Sequence, residues 1–315
     1  MSPSKRKTPC LLLRAAGALL AAALHLPAAA LEDVPFVRTP APVVDAILEL
    51  AEVGPDDRLV DLGSGDGRIV IAAARRFGTH GLGVEIVPRL VEQARLDAAA
   101  AGAADRTRFL TQDLFDTDLS GASVVTLYLL PDVNLALRPR LLETLAPGAR
   151  VVSHDWDMGD WRPDRSVTVP APDKPVGPLQ QSTLHLWVIP ARIAGGWRME
   201  TTDGADRAQA LSLNFRQRFQ DFSVAVQATP DRRAPAGESA APLRVDGAKT
   251  AADGAVSAVS ADGAGSLAGR RLWFEVALDG RTLRFNGLVD GDRMAGQLND
   301  GTSVRPWSAA REPAR

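Results

Sequence analysis

Three carboxylates and three closely spaced glycines are the residues of this chain best arranged for chemistry. In Arg58-Leu-Val-Asp-Leu-Gly-Ser-Gly-Asp-Gly-Arg68, Asp61 stands two places before Gly63, and Gly63, Gly65 and Gly67 alternate with Ser64 and Asp66. Glu85 closes a second apolar run, Gly81-Leu-Gly-Val-Glu85, and Asp113 follows a third, Thr107-Arg-Phe-Leu-Thr111. Glycine tolerates positive φ and lets backbone N–H groups approach a ligand. A helix beginning just beyond such a turn offers unpaired N–H donors and a partial positive charge.

Dinucleotide folds use this device for a pyrophosphate, with the fingerprint G-x-G-x-x-G. Here the third glycine comes one residue early, and Arg68 fills the reserved place. A carboxylate at Asp61 would repel a pyrophosphate but can accept a hydrogen bond from an ammonium group. The cofactor that this suits carries an amino acid in place of phosphates, S-adenosylmethionine. Glu85 is placed to accept from both ribose hydroxyls, a role NAD also demands, so it does not discriminate. An acceptor at Asp113 can meet the adenine amino group. Ile86 and Leu114, beside these acids, complete the candidate cofactor set. A nucleotide such as NAD and an empty structural turn are the competing readings.

These residues resemble class I methyltransferases that use S-adenosylmethionine. More narrowly, Asp61-Leu-Gly-Ser-Gly-Asp-Gly-Arg-Ile-Val70 with Gly83-Val-Glu85 is similar to the protein-lysine methyltransferases acting on mitochondrial ATP synthase subunit c and the adenine nucleotide translocase. Val34-Pro-Phe-Val-Arg-Thr-Pro40 and Ser153-His-Asp-Trp-Asp-Met-Gly-Asp-Trp161 fit their bacterial relatives. The likeness runs over about residues 34–164. It implies a Rossmann-like fold, S-adenosylmethionine as cofactor and a protein lysine as acceptor.

The elements that must hold these groups alternate strand and helix from Asp57 to Pro190. Helices are expected over Ala41–Glu52, Ile69–Phe77, Pro88–Ala101 and Val133–Leu145. Strands are expected over Ala122–Leu130 and Ala149–His154, with Ser166–Val169 and Ser182–Ile189 as an antiparallel edge. That alternation means an α/β, doubly wound, mostly parallel sheet. Beyond Pro190 the pattern changes to short alternating runs with seven Asp-Gly pairs, at Asp203, Asp246, Asp253, Asp262, Asp279, Asp290 and Asp300. Asp-Gly between alternating runs signals a hairpin. A smaller all-β antiparallel barrel or sandwich is expected there, with Pro230–Gly269 partly loose loop. Irregular spacing disfavours a calcium array.

The acceptor side should open beside the fourth strand, which ends Thr126-Leu-Tyr128-Leu-Leu-Pro131. Tyr128, the chain's single tyrosine, either orients an amine or packs. Asp155 and Trp156, in the run ending at Trp161, are the other candidates, an acid to attract a cation and an indole to stack on a methylated ammonium. An acid beside an amine also holds its proton, so this run is assigned to substrate capture and not to base catalysis. The absence of Asn/Asp-Pro-Pro-Tyr after this strand argues against amide and DNA-amine acceptors.

Composition adds an address. Lys5, Arg6, Lys7 and Arg14 precede an Ala/Leu run, Ala15–Leu26, and then Pro27-Ala-Ala-Ala30, with no acid before Glu32. This describes a secretory signal peptide over 1–30, with a mitochondrial presequence as its rival. The expected organisation is therefore 1–30 signal peptide, 31–190 methyltransferase domain and 191–315 β-rich domain. Export would place the protein in the periplasm or cell envelope, with an envelope or membrane protein as partner. Without residues 1–30 the chain keeps 32 basic and 38 acidic residues, a net charge of −6, which argues against a general nucleic-acid binder. Cys10, the sole cysteine, would leave with the leader. His80, His154 and His185 show no metal-ligand spacing. A small-molecule methyltransferase and a non-catalytic envelope binding protein are the alternative functions.

Overall fold

The computed structural model describes residues 36–175, 177, 179–202, 208–228, 260–278 and 280–313. The expected signal peptide lies outside the described residues, as do Asp203, Asp246, Asp253 and Asp279.

The first half is a seven-stranded sheet. Its strands are β1 (Arg58–Leu62), β2 (His80–Glu85), β3 (Thr107–Thr111), β4 (Val124–Leu127), β5 (Arg150–His154), β6 (Arg165–Pro170) and β7 (Gln181–Val188). They lie in the order β3-β2-β1-β4-β5-β7-β6. The five strands from β3 to β5 run parallel, and β7 enters antiparallel between β5 and β6. Helices α1 (Ala41–Leu50), α2 (Arg68–Phe77), α3 (Pro88–Ala100) and α4 (Pro131–Thr144) fill the connections. Covered on both faces, β1 and β4 are mostly apolar, with Leu59, Val60, Leu62, Val124, Val125 and Leu127 all buried and Asp61 and Thr126 the buried polar exceptions. Prolines at the starts of α3 and α4 suit positions whose N–H has no helical partner. The carboxyl ends of β1, β2 and β4 therefore gather at one edge, where the strand order reverses between β1 and β4. Open α/β sheets bind ligands at such a switch point.

The strand expected over Ala122–Leu130 is confined to Val124–Leu127, because Leu130 already caps α4. This frees Tyr128 and Leu129 from the ladder at the sheet edge.

The second half is a closed antiparallel barrel. Strands β8 (Gly195–Thr202), β9 (Ala208–Arg218), β10 (Asp221–Ala228), β11 (Ser260–Ala268), β12 (Arg271–Leu278), β13 (Arg281–Asp290), β14 (Arg293–Asn299) and β15 (Val304–Arg311) follow one another around the wall, and β15 pairs with β8 to close it. Alternation sets inside from outside: Leu272, Phe274 and Val276 are buried while Trp273 and Glu275 face out. Phe274 stacks on Phe285 at 4.3 Å and meets Trp307 edge-on at 6.2 Å, so the interior is side chain. Each such aromatic contributes roughly 2–3 kcal/mol by burial.

One expectation fails here. Asp262-Gly263 is no hairpin turn: it lies within β11, paired with Ala225 and with Val224 and Val276. The stretch read as partly loose loop thus contains a full strand. Its glycines are there for space, since a Cβ on Gly263 would come 2.3 Å from the Glu275 carbonyl and one on Gly265 2.2 Å from that of Trp273. Asp290-Gly291, by contrast, turns β13 into β14, with Gly291 at φ +58°.

Candidate functional site

The glycine turn leaves β1 as a left-handed ladder: Gly63, Gly65 and Gly67 have φ of +77°, +53° and +76°. Side chains could not share this space either. A Cβ on Gly67 would meet the Phe109 ring at 2.5 Å and Ala94 at 2.9 Å. The turn is tied to β2 by Gly63 and Ser64 N–H groups donating to the Val84 carbonyl at 2.8 and 2.9 Å. Gly67 then caps α2 without a side-chain hydrogen bond to its first N–H groups. The Phe36 ring lies against Gly65, within 2.1–2.9 Å of where its Cβ would be, and Leu129 lies similarly over Gly63.

Around this turn the acids divide by environment. Asp61 is buried, and its Oδ1 accepts from Thr126 Oγ1 at 2.7 Å across the β1–β4 pair. Burial pushes its carboxyl up to about 7. The Thr126 hydrogen bond opposes that shift, and repulsion from Glu85 and Asp66 adds to it. Asp66 has a cation: Arg68 grips both its oxygens, at 2.8 and 2.5 Å, and Arg68 also donates to the Thr39 carbonyl. Glu85 ends β2 and accepts from the N–H of Gly65 and of Val87, both at 3.0 Å, one on each oxygen. Asp113 is half-buried and accepts from the Phe115 N–H at 2.9 Å, capping a short 3-10 turn over Leu114–Asp116. Ile86 and Leu114 are half-buried beside these two acids.

Two features of this turn await a partner. Among the described residues Asp61 is a buried acid with no cation beside it, and the Ser64 hydroxyl is buried without a hydrogen bond. Buried polar groups are ordinarily satisfied. A ligand presenting an ammonium to Asp61 and hydroxyls to Glu85, with its backbone-facing side on the glycines, fits the residues present.

The acceptor candidates meet at the ends of β4 and β5. The Tyr128 ring stacks on His154 with centroids 3.8 Å apart, and its hydroxyl lies 3.5 Å from Asp155 Oδ2. Burial and the Asp155 charge push the Tyr128 phenol up to about 12, so it stays protonated. His154 is fully buried and hydrogen-bonded to Ser182 Oγ at 2.7 Å. Burial drives its pKa down to about 4, against the pull of Asp155, which leaves a neutral ring. Asp155 itself adopts φ +65°, rare for a side-chain-bearing residue, and is pinned there by reciprocal hydrogen bonds with Thr183. Such strain costs about 1–3 kcal/mol and persists only where its surroundings enforce it. Trp156 is 43% exposed at the mouth. The buried Asn134 of α4 donates to Ser153 Oγ and lies within 3.3–3.4 Å of the Trp156 and Asp157 carbonyls, holding the loop from beneath.

The last two residues of the tryptophan-rich run, Asp160 and Trp161, are engaged away from Asp155. Trp161 is fully buried, stacked on Phe219 of the barrel at 5.8 Å and against Trp187 at 5.7 Å. Asp160 is paired with Arg138 and with Arg218. Both residues fasten this loop to the β9–β10 hairpin, whose Gln220 also donates to the Arg162 carbonyl at 2.7 Å. Sequence reasoning placed them with Asp155 and Trp156 because their partners lie some sixty residues away. Nothing in the sequence marks His154, Asn134 or Thr126 for this site; each is an ordinary strand or helix residue there, and only the folded edge gives it a role.

Residues 61–165 match the family model of the ANTKMT methyltransferase domain. The chain is 42% identical over 137 residues to a protein-lysine N-methyltransferase of Saccharolobus islandicus (strain REY15A), covering 43% of this chain and 85% of that one. It is 38% identical over 131 residues to the adenine nucleotide translocase lysine N-methyltransferase of Mus musculus, covering 42% of this chain and 57% of that one. Among solved structures, an RNA methyltransferase from Salinibacter ruber in complex with S-adenosyl-L-homocysteine shares 55% identity, with 50% of this chain and 96% of that chain covered and a TM-score of 0.46.

Proposed function

The chain belongs to the family of ANTKMT methyltransferase domains, and from that premise we propose that it transfers a methyl group from S-adenosylmethionine to the ε-amine of a protein lysine. The single observation that carries the cofactor half is a buried carboxylate, Asp61, with no cation beside it among the described residues, at the start of a three-glycine turn. Asp61 would hold the donor's ammonium, Glu85 its ribose hydroxyls and Asp113 its adenine amine. Gly63, Ser64, Gly65, Asp66 and Gly67 would form the floor, with Ile86 and Leu114 packing the adenosine. Bound there, S-adenosylmethionine supplies an electrophilic methyl on a sulfonium.

The chain's own task is then orientation, which can be worth about 7–11 kcal/mol of a barrier. Asp155 receives the acceptor as an ammonium, Trp156 covers it, and the Tyr128 hydroxyl offers a neutral, protonated contact beside it. His154 stays neutral and so adds no repulsion to the arriving cation. For reaction the amine must first give its proton to solvent, a loss that partial burial favours by lowering its pKa and that the Asp155 charge opposes. We infer further that residues 31–190 carry this activity, that residues 191–315 form a separate domain, and that the basic, acid-free start directs export to the periplasm or envelope, where the acceptor would be an envelope protein.

Incubation of the protein with methyl-labelled S-adenosylmethionine and a cell-envelope extract tests this directly. Label recovered as methyllysine in protein supports the reading; label in RNA or in small molecules alone overturns the acceptor, and no cofactor binding by calorimetry overturns the whole.

A further inference from the structure

The acceptor site already contains a lysine. Lys174, from the segment joining β6 to β7, points its Nζ at Asp155 Oδ2 at 2.6 Å and donates to the Gln181 carbonyl at 2.8 Å. The same Asp155 oxygen faces the Tyr128 hydroxyl and His154 Nε2, each at 3.5 Å. Lysine side chains usually keep their ammonium in water, yet this one is only 10% exposed.

The choice of residue is itself informative. The chain holds four lysines, Lys5, Lys7, Lys174 and Lys249, against 32 arginines. Among the described residues every other ion pair uses an arginine, apart from the contact of His154 with Asp155. The one described lysine therefore sits where a substrate lysine would have to go. Its partner is an acid held in a strained backbone conformation by Thr183, beside the chain's single tyrosine.

We propose that Lys174 is an internal occupant of the acceptor-amine subsite, engaging Asp155 until the lysine of a protein substrate displaces it. The proposal rests on the reading that Asp155 receives the acceptor. It identifies the ligand class of that subsite as a primary alkylammonium, bounded by the Asp155 carboxylate, the Gln181 carbonyl and the Tyr128–His154 pair. A tethered ammonium competes at an effective concentration in the millimolar range, so a substrate must outbid it. Lysines presented by a large docked protein surface can do so, whereas free lysine cannot.

The test compares the wild-type chain with Lys174→Ala, Lys174→Met and Lys174→Arg. Using a lysine-containing peptide as acceptor, the neutral variants should show KM lowered about tenfold with kcat within about twofold, as expected when a competing intramolecular contact is removed. Lys174→Arg, which keeps a cation but not a primary alkylammonium, should lower KM less than the neutral variants do. By calorimetry, Nα-acetyl-lysine methylamide should bind Lys174→Ala measurably more tightly than wild type, and the gain should vanish in Lys174→Ala/Asp155→Asn. Methylation of Lys174 in a donor-only incubation would also support the proposal, since its amine would then have reached the donor. An unchanged or raised KM in both neutral variants, with melting temperature and cofactor affinity at wild-type values, overturns it. So does unfolding of both neutral variants, which would make Lys174 a structural tether. If no variant, wild type included, methylates lysine while all bind the cofactor, the lysine-acceptor reading has failed instead.

Discussion

Replacing Asp61 by asparagine should make the protein more stable and poorer at holding its cofactor, and the first effect should depend on pH. Asp61 is buried with one hydrogen bond, from Thr126, and with Glu85 and Asp66 as its charged neighbours, so its pKa rises from 3.8 to about 7. At about 1.4 kcal/mol per unit, ionising it in the cofactor-free fold costs on the order of 4 kcal/mol. Because the folded pKa lies above the unfolded one, the stabilising preference for the protonated form is complete below about pH 4. It drains away as pH rises and is gone above about pH 7. Asparagine is neutral throughout and can still accept from Thr126. The stability gain of Asp61→Asn should therefore be near zero at about pH 4 and reach about 2–4 kcal/mol at about pH 8. Urea denaturation of both proteins without cofactor at these two pH values reads it. At the higher pH, calorimetry should show S-adenosylmethionine binding weakened roughly a hundredfold, the loss expected when a charged hydrogen bond worth about 3 kcal/mol goes. A stability difference that does not grow with pH, or equal cofactor affinity in the two proteins, refutes the assignment of Asp61 as the acid awaiting an ammonium.

Other positions separate the parts of the site. Gly67→Ala, which would force a Cβ into Phe109 and Ala94 at a left-handed φ, should cost at least about 2 kcal/mol of stability by thermal melting and abolish cofactor binding. Asp155→Ala and Trp156→Ala should each remove about 90% or more of lysine methylation while leaving cofactor affinity intact; unchanged turnover would remove both from the acceptor site. Tyr128→Phe should lower kcat/KM about tenfold, and because this phenol titrates at about 12, wild-type activity should show no loss attributable to it up to about pH 10. Phe219→Ala, by loosening the hairpin against Trp161, should raise KM for the acceptor severalfold with no change in cofactor affinity, measured by steady-state kinetics and calorimetry.

The donor half was legible because its physics is local. Buried parallel strands are mostly apolar, a turn with repeated positive φ favours glycine, and a carboxylate at each strand end lies within a few residues of the strand that aims it. The antiparallel edge of β6 and β7 and the barrel's alternation were readable for the same reason. What escaped were consequences of distance. β11 reads as linker because Gly263 and Gly265 lower strand propensity, yet they are what permits β11 to lie close on β12. Asp160 and Trp161 look like substrate groups until the β9–β10 hairpin supplies Arg218 and Phe219. Lys174 is nineteen residues beyond Asp155, and only the β6–β7 turn brings it back.

The join between β15 and β8 gives the barrel an order of assembly. Both walls flanking β15 belong to strands that come earlier in the chain, β14 beside it and β8 more than a hundred residues before. Until that stave is set, two unsatisfied ladders stay open to water and to neighbouring molecules, the condition that invites edge-to-edge aggregation. A chain shortened before Val304 would therefore leave not a smaller cylinder but a curled sheet with two sticky margins, one of them next to the hairpin that steadies the tryptophan loop.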